Sequence, residues 1–441
     1  MGAIKKSVWM VSLVFNAMLH SNASATGVME AYQAALKNDP QFRAAVAENQ
    51  AGQEYKNIGR AGLLPTVQYV YSTSKNNAEQ TIGKVTSKPE YTAITSSVSL
   101  RQPLFSMEAY ARFRQGQTQT RQSEAIFVSK SADLIVRLFS AYADAKYAED
   151  QLSLLQAQRD TLQEQMSMNE RLFKRGEGTR TEVLETQAKL DVAQAQVIEA
   201  EDNVVATRNQ LQSMVGDEIK SLDRLSAKFS PLPMALLKFD EWENIARDNN
   251  PELLSARHAL ESAEYEITKN KAGHYPRLDL NASYTRGSSE TLQTYAQDST
   301  TRTIGVQLVV PIYSGGYVSA VSNQAVASRD KARSDLDAAN KRVINELNKQ
   351  FNAMNSGIKK MAALEKSVES ATLLVDATTK SIKAGVRINV DLLNAKQQLT
   401  AAKRDLAQAR YTYLISYLRL KAAAGTLIEE DLQLVAANFT S

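Results

Sequence analysis

Cysteine is absent from these 441 residues, so disulfide scaffolds, thiol nucleophiles and cysteine-ligated zinc are excluded at the outset. Proline is scarce: there are nine, none between 104 and 230 and none after 311, so two long stretches lack the strongest helix breaker. Neither sign of charge dominates, with 52 Lys+Arg against 48 Asp+Glu. The formal +4 includes Lys5 and Lys6 of a leader segment, and so small an excess excludes a nucleic-acid footprint. Histidine is rare as well. Beyond residue 25 there are His258 and His274, with no H-E-x-x-H spacing, so no catalytic residue, metal or cofactor is expected. Gly176-x-Gly178 follows a helical segment rather than a strand and reads as a turn, not a phosphate loop. Long apolar runs are missing too. Past the leader nothing has the length of a membrane helix, so the chain is either soluble outside the cytoplasm or crosses a membrane as strands.

What is present begins with export. Lys5-Lys6, an apolar run from Val8 to Leu19 and Ala23-Ser24-Ala25 form a signal peptide over residues 1–25, with the mature chain starting at Thr26. From there the chain reads as one unit written twice. Asn38-Asp39-Pro40 answers Asn249-Asn250-Pro251, Leu64-Pro65 answers Tyr275-Pro276, and Pro103-Leu104-Phe105-Ser106 answers Pro311-Ile312-Tyr313-Ser314. Gly176 and Gly216 likewise answer Gly385 and Gly425, and all these anchors hold register within three residues. A tandem repeat follows, the first copy at 26–230 and the second at 231–426, joined near Pro231-Leu232-Pro233, with a C-terminal tail at 427–441. Glu429-Glu430-Asp431 in that tail reads as a solvated acidic run.

Each proline-free stretch predicts a long helix, a tight turn at glycine and a returning helix, at about 107–173 and 179–215 and again at about 315–383 and 389–424. At 1.5 Å per residue the first would run roughly 100 Å, more than a globular domain needs. Leu190, Val197, Val204 and Leu211 recur every seven residues, with Ala193, Ala200, Thr207 and Met214 three places on. Leu399, Leu406, Tyr413 and Leu420, with Ala402, Ala409, Ser416 and Ala423, repeat the pattern. A heptad seam with a small second row predicts coiled-coil packing in a wall. Between the helices the period falls to 2, predicting strands at about 66–76, 91–103, 277–286 and 302–311 with polar loops at 76–90 and 287–301. Such strands have the length that crosses a membrane obliquely, and Tyr69, Tyr91, Phe105, Tyr284 and Tyr313 fall where an interfacial aromatic girdle lies. A sheet in lipid has to close, and the smallest common barrels have about eight strands, so four strands per chain require a barrel shared among copies. Two soluble hairpins on a periplasmic bundle are the open alternative.

Several segments are similar to one family. They are Val375-Asp376-Ala377-Thr378-Thr379, Asn394-Ala395-Lys396-Gln397-Gln398-Leu399, Ala409-Arg410-Tyr411-Thr412-Tyr413-Leu414-Ile415 and Lys421-Ala422-Ala423-Ala424-Gly425-Thr426-Leu427. With Ala31-Tyr32-Gln33 and the stretch from Asn38-Asp39-Pro40 to Leu64-Pro65, they resemble the TolC family of outer-membrane export ducts, and most of all the ducts of protease-secreting type I exporters. The resemblance implies a mainly α fold with a membrane β-barrel portion. Three copies would supply a 12-stranded barrel, four strands per chain, continued by a long α-helical coiled-coil barrel. It implies a place in the outer membrane of a Gram-negative cell, embedded in its lipid and extending into the periplasm. The implied partners are a periplasmic adaptor (membrane fusion) protein and an inner-membrane ABC exporter or other pump, with no nucleic acid. Proteins, proteases among them, or small molecules would pass to the exterior.

The same resemblance implies where the working residues lie. Gly176 and Gly385 become the turns of the tunnel tip. An acidic ring lines the tip constriction in the family, and Asp391 matches its first position while Asn394 replaces the second acid. Arg387, Gln165, Thr181 and Glu182 match positions that latch the tip, although Ile382 stands where the pattern has an aromatic hydroxyl. The rival from another class is a periplasmic coiled-coil adaptor protein without a pore, which would not need four membrane-length strands.

Overall fold

The computed structural model describes residues 26–440 apart from 220, 227–228, 233–237, 292–293 and 388, with backbone alone at 289–291 and 294–296. The leader at 1–25 and Pro233 of the expected joint lie outside the described residues. Two helices, α1 (Val28–Asn38) and α2 (Pro40–Ala61), lead into β1 (Thr66–Asn77). The short β2 (Gln80–Ile82) and β3 (Val85–Ser87) and the long β4 (Glu90–Phe105) follow, then α3 (Met107–Lys174) and α4 (Arg180–Val215). After β5 (Arg224–Leu225) come α5 (Phe239–Asn249), α6 (Pro251–Lys271), β6 (Arg277–Thr291) and β7 (Thr294–Val309). The long α7 (Tyr317–Lys383), α8 (Asn389–Ala424), α9 (Glu429–Ala436) and β8 (Phe439–Thr440) complete the chain. Among the described residues no helix is long and apolar enough to cross a membrane.

The helices form one wall. Near the sheet α3 packs between α2 and α6, with α7 beyond α6; farther away α3 packs between α4 and α8, with α7 beyond α8. The short helices stack on the returning ones as broken columns. Asn38 Nδ2 donates to the Val215 carbonyl at 2.6 Å, closing the end of α4. Asp39 then caps α2 by accepting from Phe42 N at 2.7 Å. In the second column Asn250 does both, donating to the Ala423 carbonyl at 2.8 Å and accepting from Leu253 N at 3.1 Å. Pro40 and Pro251 occupy the first helical position, where a missing N–H leaves no bond unmade.

The long strands make one antiparallel sheet in the order β1-β4-β6-β7. Register aligns Val67, Leu100, Ala282 and Ile304 on one face, beside Tyr69, Val98 and Tyr284 and the pairs Leu280–Val306 and Leu278–Leu308. Gln68, Ser99, Ser283 and Thr303 occupy the other. The apolar face is bare, with Ile304 78% exposed. On the polar face Asp279, 1% exposed, accepts from Arg101 Nη2 at 2.9 Å and from Arg277 Nε at 3.0 Å, where the sheet meets the helices. The expected loops are largely strand. β2 and β3 form a small hairpin turning at Gly83, and β6 and β7 keep pairing from Thr285–Thr301 out to Ser289–Gln297, past the expected ends at 286 and 302. In this outer part both faces carry Ser, Thr and charged side chains, so period-2 patterning vanishes while the ladder continues.

The main core lies where α1, α5, α9 and the β5–β8 pair cover the middle of α3 and α7 and the C-terminal ends of α4 and α8. Phe139, Tyr142, Leu211, Leu347, Leu414 and Leu418 are fully buried there. The expected tail at 427–441 is thus an integral layer. Phe439 meets Phe139 and Tyr142 edge-on at 6.1 and 5.6 Å, because two aromatic rings leave a slot that a third fills. Asp431 is not solvated: it is 4% exposed, accepts from Tyr417 Oη at 3.0 Å and pairs with Lys421 Nζ at 3.3 Å. Glu430 alone of that acidic run is exposed.

Candidate functional site at the helix turns

Two turns end the wall opposite the sheet. In the first, Gly176 takes φ +76°, its N–H bonds the Phe173 carbonyl at 3.0 Å, and Glu177 N reaches back to the Leu172 carbonyl at 2.9 Å. The second repeats this pattern: Gly385 has φ +72°, its N–H bonds Ile382 O at 2.9 Å and Val386 N bonds Ser381 O at 3.0 Å. Both are paired-bond helix endings that need a left-handed residue, which is why glycine stands at each. The returning α4 starts with a reciprocal cap. Glu182 N donates to Thr179 Oγ1 at 3.2 Å, and Thr179 N donates to Glu182 Oε2 at 2.9 Å.

The four latch candidates are not gathered into one contact within the protomer. Gln165 Nε2 donates to Asn169 Oδ1 at 3.0 Å, and Asn169 Nδ2 donates to Thr186 Oγ1 at 2.8 Å. Glu182 spends its carboxylate on its own helix start, while its carbonyl accepts from Thr186 Oγ1 at 2.8 Å. Gln165 and Glu182 are therefore joined through Asn169 and Thr186. Thr181 is exposed and stands outside this ladder; Arg387 is exposed and makes no hydrogen bond or ion pair among the described residues. Asp391 lies half-buried in the first turn of α8, where a carboxylate favours the helix dipole. Asn394 is exposed, and its Oδ1 accepts from Lys189 Nζ at 3.2 Å, tying α8 to α4.

Three residues of this site went unread in the sequence: Asn169, Thr186 and Lys189. Thr186 had a signal, since it continues the small row of Ala193 and Ala200 one heptad toward the turn, and a hydroxyl at 1% exposure needs a partner. Lys189 had none. Beside these polar contacts Leu162, Met166, Leu190, Ala193 and Leu393 form a small separate core. Phe173 and Val386 stay exposed at the two turns.

The profile of one protein family, described as outer membrane efflux protein, matches residues 31–217 and 242–426. The chain belongs to the outer membrane efflux protein family. It is 42% identical over 433 residues to the alkaline protease secretion protein AprF of Pseudomonas aeruginosa, covering 97% of this chain and 90% of that one. Its identity to the proteases secretion protein PrtF of Dickeya chrysanthemi is 39%, over 95% of this chain and 92% of the relative. The outer membrane protein TolC of Escherichia coli is 30% identical over 93% of this chain and 85% of its own length. In fold the chain is similar to the CmeC outer membrane channel of Campylobacter jejuni, with a TM-score of 0.79, 16% identity and coverage of 100% and 98%. It also matches the outer-membrane channel OprN with a TM-score of 0.78 and 16% identity, over 90% of each chain. The protein is thus a mostly helical, TolC-like channel protein of the outer membrane, and the poreless adaptor is set aside. Its family is one of transport channels.

Proposed function

We propose that three copies close into one channel-tunnel, the outer-membrane part of a tripartite exporter that carries proteins, proteases foremost, from an inner-membrane pump through a periplasmic adaptor to the exterior. One observation carries this reading: a four-stranded sheet with a bare apolar face and two outer edges, β1 and β7, that have no strand beside them among the described residues. Unpaired edges in hydrocarbon are too costly to persist, so β7 of one copy pairs β1 of the next and twelve strands close. The same two sides recur below the sheet. There α2 and then α4 form one margin of the wall and α7 the other, so a single rotation joins all levels head to tail. Ile198 and Val205 on α4, one heptad apart, are exposed in the single chain and supply an apolar margin for that joint. The paired matches to one family profile support reading the chain as a tandem repeat, with copies at 26–230 and 231–426. The protease-secretion names of the two relatives at 39% and 42% identity support proteins as cargo and an ABC exporter as pump.

At the tip, Asp391 supplies a ring of three carboxylates that draws cations, shallower for having Asn394 behind it. Arg387, without a hydrogen bond or ion pair among the described residues, reaches for acceptors of the next copy, with Gln165, Thr181 and Glu182 on the facing helices. The test is single-channel recording of detergent-purified protein in a planar bilayer with a salt gradient. Steady cation-preferring conductance is expected; a folded protein that stays outside detergent and lipid overturns the reading.

A further inference from the structure

The wall has two regimes along its length. In the middle the main core fastens all four long helices. Toward the turns this core ends, and a crevice opens between the α3/α4 hairpin and the α7/α8 hairpin. Gln151 and Gln158 of α3 floor a cavity of about 590 Å³, with Gln196 and Asn203 of α4 on one side and Gln397 and Arg404 of α8 on the other, and it continues between α3 and α8 into one of about 160 Å³. Within α3/α4 the seam stays shut, with Leu190, Val197 and Val204 buried, and within α7/α8 so do Ala402 and Ala409. The hairpins meet again near the turns, through Leu393 beside Leu162 and through Lys189 and Asn394.

Just above the crevice a line of polar contacts crosses all four helices. Arg208 on α4 bonds Glu149 Oε1 on α3 at 2.7 Å, and Lys146 Nζ, 6% exposed, lies 2.9 Å from Glu149 Oε2 and 3.3 Å from Asp150 Oδ1. Tyr411 Oη on α8 donates to Asp150 Oδ2 at 2.9 Å, and Arg410 next to it bonds Glu365 on α7 at 2.9 Å. Tyr147 packs edge-on against Tyr411, their rings 6.1 Å apart. Three cations face three carboxylates, so the line is neutral as a whole, and removing any member strands a partner. Among the described residues the polar bond of this line that passes from one hairpin to the other is Tyr411–Asp150.

We propose that the Tyr411–Asp150 bond, held in place by Lys146, Glu149 and Arg208, is the pivot that pins the two hairpins together, and that beyond it they swing apart to widen the tunnel tip. The swing rests on the duct reading above; the pinning does not. Small-residue seams tolerate sliding, whereas a hydrogen bond between a phenol and a carboxylate fixed by a buried lysine has one geometry. Leverage is ample. From Tyr411 to the start of α8 at Asn389 is roughly 33 Å of helix, so a rotation of about 5° moves that end by about 3 Å. Tyr411 and Asp150 are positioning residues: they sit far from the constriction and act on it through the rods.

The absence of cysteine makes the test direct. Nitroxide labels on Gln158→Cys and Gln397→Cys report the crevice, and labels on Gln158→Cys and Gln196→Cys report the inside of one hairpin, both in the assembled full chain. Tyr411→Phe should broaden and lengthen the 158–397 distances by several ångströms while the 158–196 distances stay narrow, and should raise open probability in the bilayer roughly tenfold, as loss of a bond to a charged acceptor implies. Unchanged 158–397 distances overturn the pivot, and so does equal broadening of both pairs, which is general loosening. Should Tyr411→Phe fail to assemble, Asp150→Asn weakens the same bond and carries the same expectation. Label responses without any conductance keep the pinning role and overturn the duct; conductance without label responses does the reverse.

Discussion

Tyr142, Tyr411 and Tyr417 are phenols that burial holds protonated, each further discouraged from ionising by a carboxylate, Asp223, Asp150 and Asp431 respectively. Their pKa values are raised above the ordinary 10.0 in the folded chain. A proton held more tightly when folded adds stability that is complete below pH 10 and is lost as pH climbs through the folded values. Urea denaturation should therefore show stability falling steeply above about pH 10, and Tyr142→Phe should flatten that fall. An unchanged slope would remove Tyr142 from the account. At the tip the proposed working carboxylate is Asp391, in the first turn of α8. Asp391→Asn should reduce cation preference and weaken block by multivalent cations in single-channel recordings, and unaltered selectivity would take the ring out of the mechanism. A family pattern, not a period or a spacing, singles out Asp391 and Arg387 as candidates. The small row of the seam points to Thr186, but its partner Asn169, 17 positions away, shows only once α3 and α4 are laid side by side.

Helix ends and the C-terminal layer are decided at the level of elements. Gly176 and Gly425 both have positive φ, but a Cβ on Gly176 meets nothing within reach, whereas one on Gly425 collides with the Asn249 carbonyl where α8 stacks on α6. Alanine at 176 should cost about 1–2 kcal/mol, the strain of a left-handed residue alone, and alanine at 425 clearly more. Comparing the two melting shifts measures how tightly the broken column is stacked. The layer formed by α9 and β8 gives a second contrast. Phe439→Ala should cost about 3–5 kcal/mol, because the slot beside Phe139 and Tyr142 empties. Leu434→Ala on the exposed side of α9 should stay within about 0.5 kcal/mol. Equal losses would mean that the layer is held by its edges rather than by its core.

Across the whole molecule, the margins are what a single chain leaves unfinished. Exposed Ile198 and Val205 on α4 lie off the buried seam of Leu190, Val197 and Val204, so α4 carries a second apolar face beside the one that packs on α3. Ile198→Glu combined with Val205→Lys should dissociate the proposed trimer in detergent, read by light scattering, while circular dichroism keeps its helical signal. A trimer that survives both charges would move the joint elsewhere. The β1 and β7 edges make the same demand in lipid, where hydrogen bonds have no water to fall back on.

Period determined the seam and the bare face of the sheet, and proline-free runs broken by glycine the long helices and their turns, because each is written in residues near one another in the chain. The heptad row of Leu190, Val197, Val204 and Leu211 was enough to say which face of α4 is buried. Tertiary structure alone decided where the C-terminal segment docks, how far the outer hairpin continues once both faces are wet, and that Tyr411 meets Asp150 across 261 positions. Those depend on which surfaces are brought together when two hairpins lie side by side, and a pairing between distant residues leaves no period in either of them.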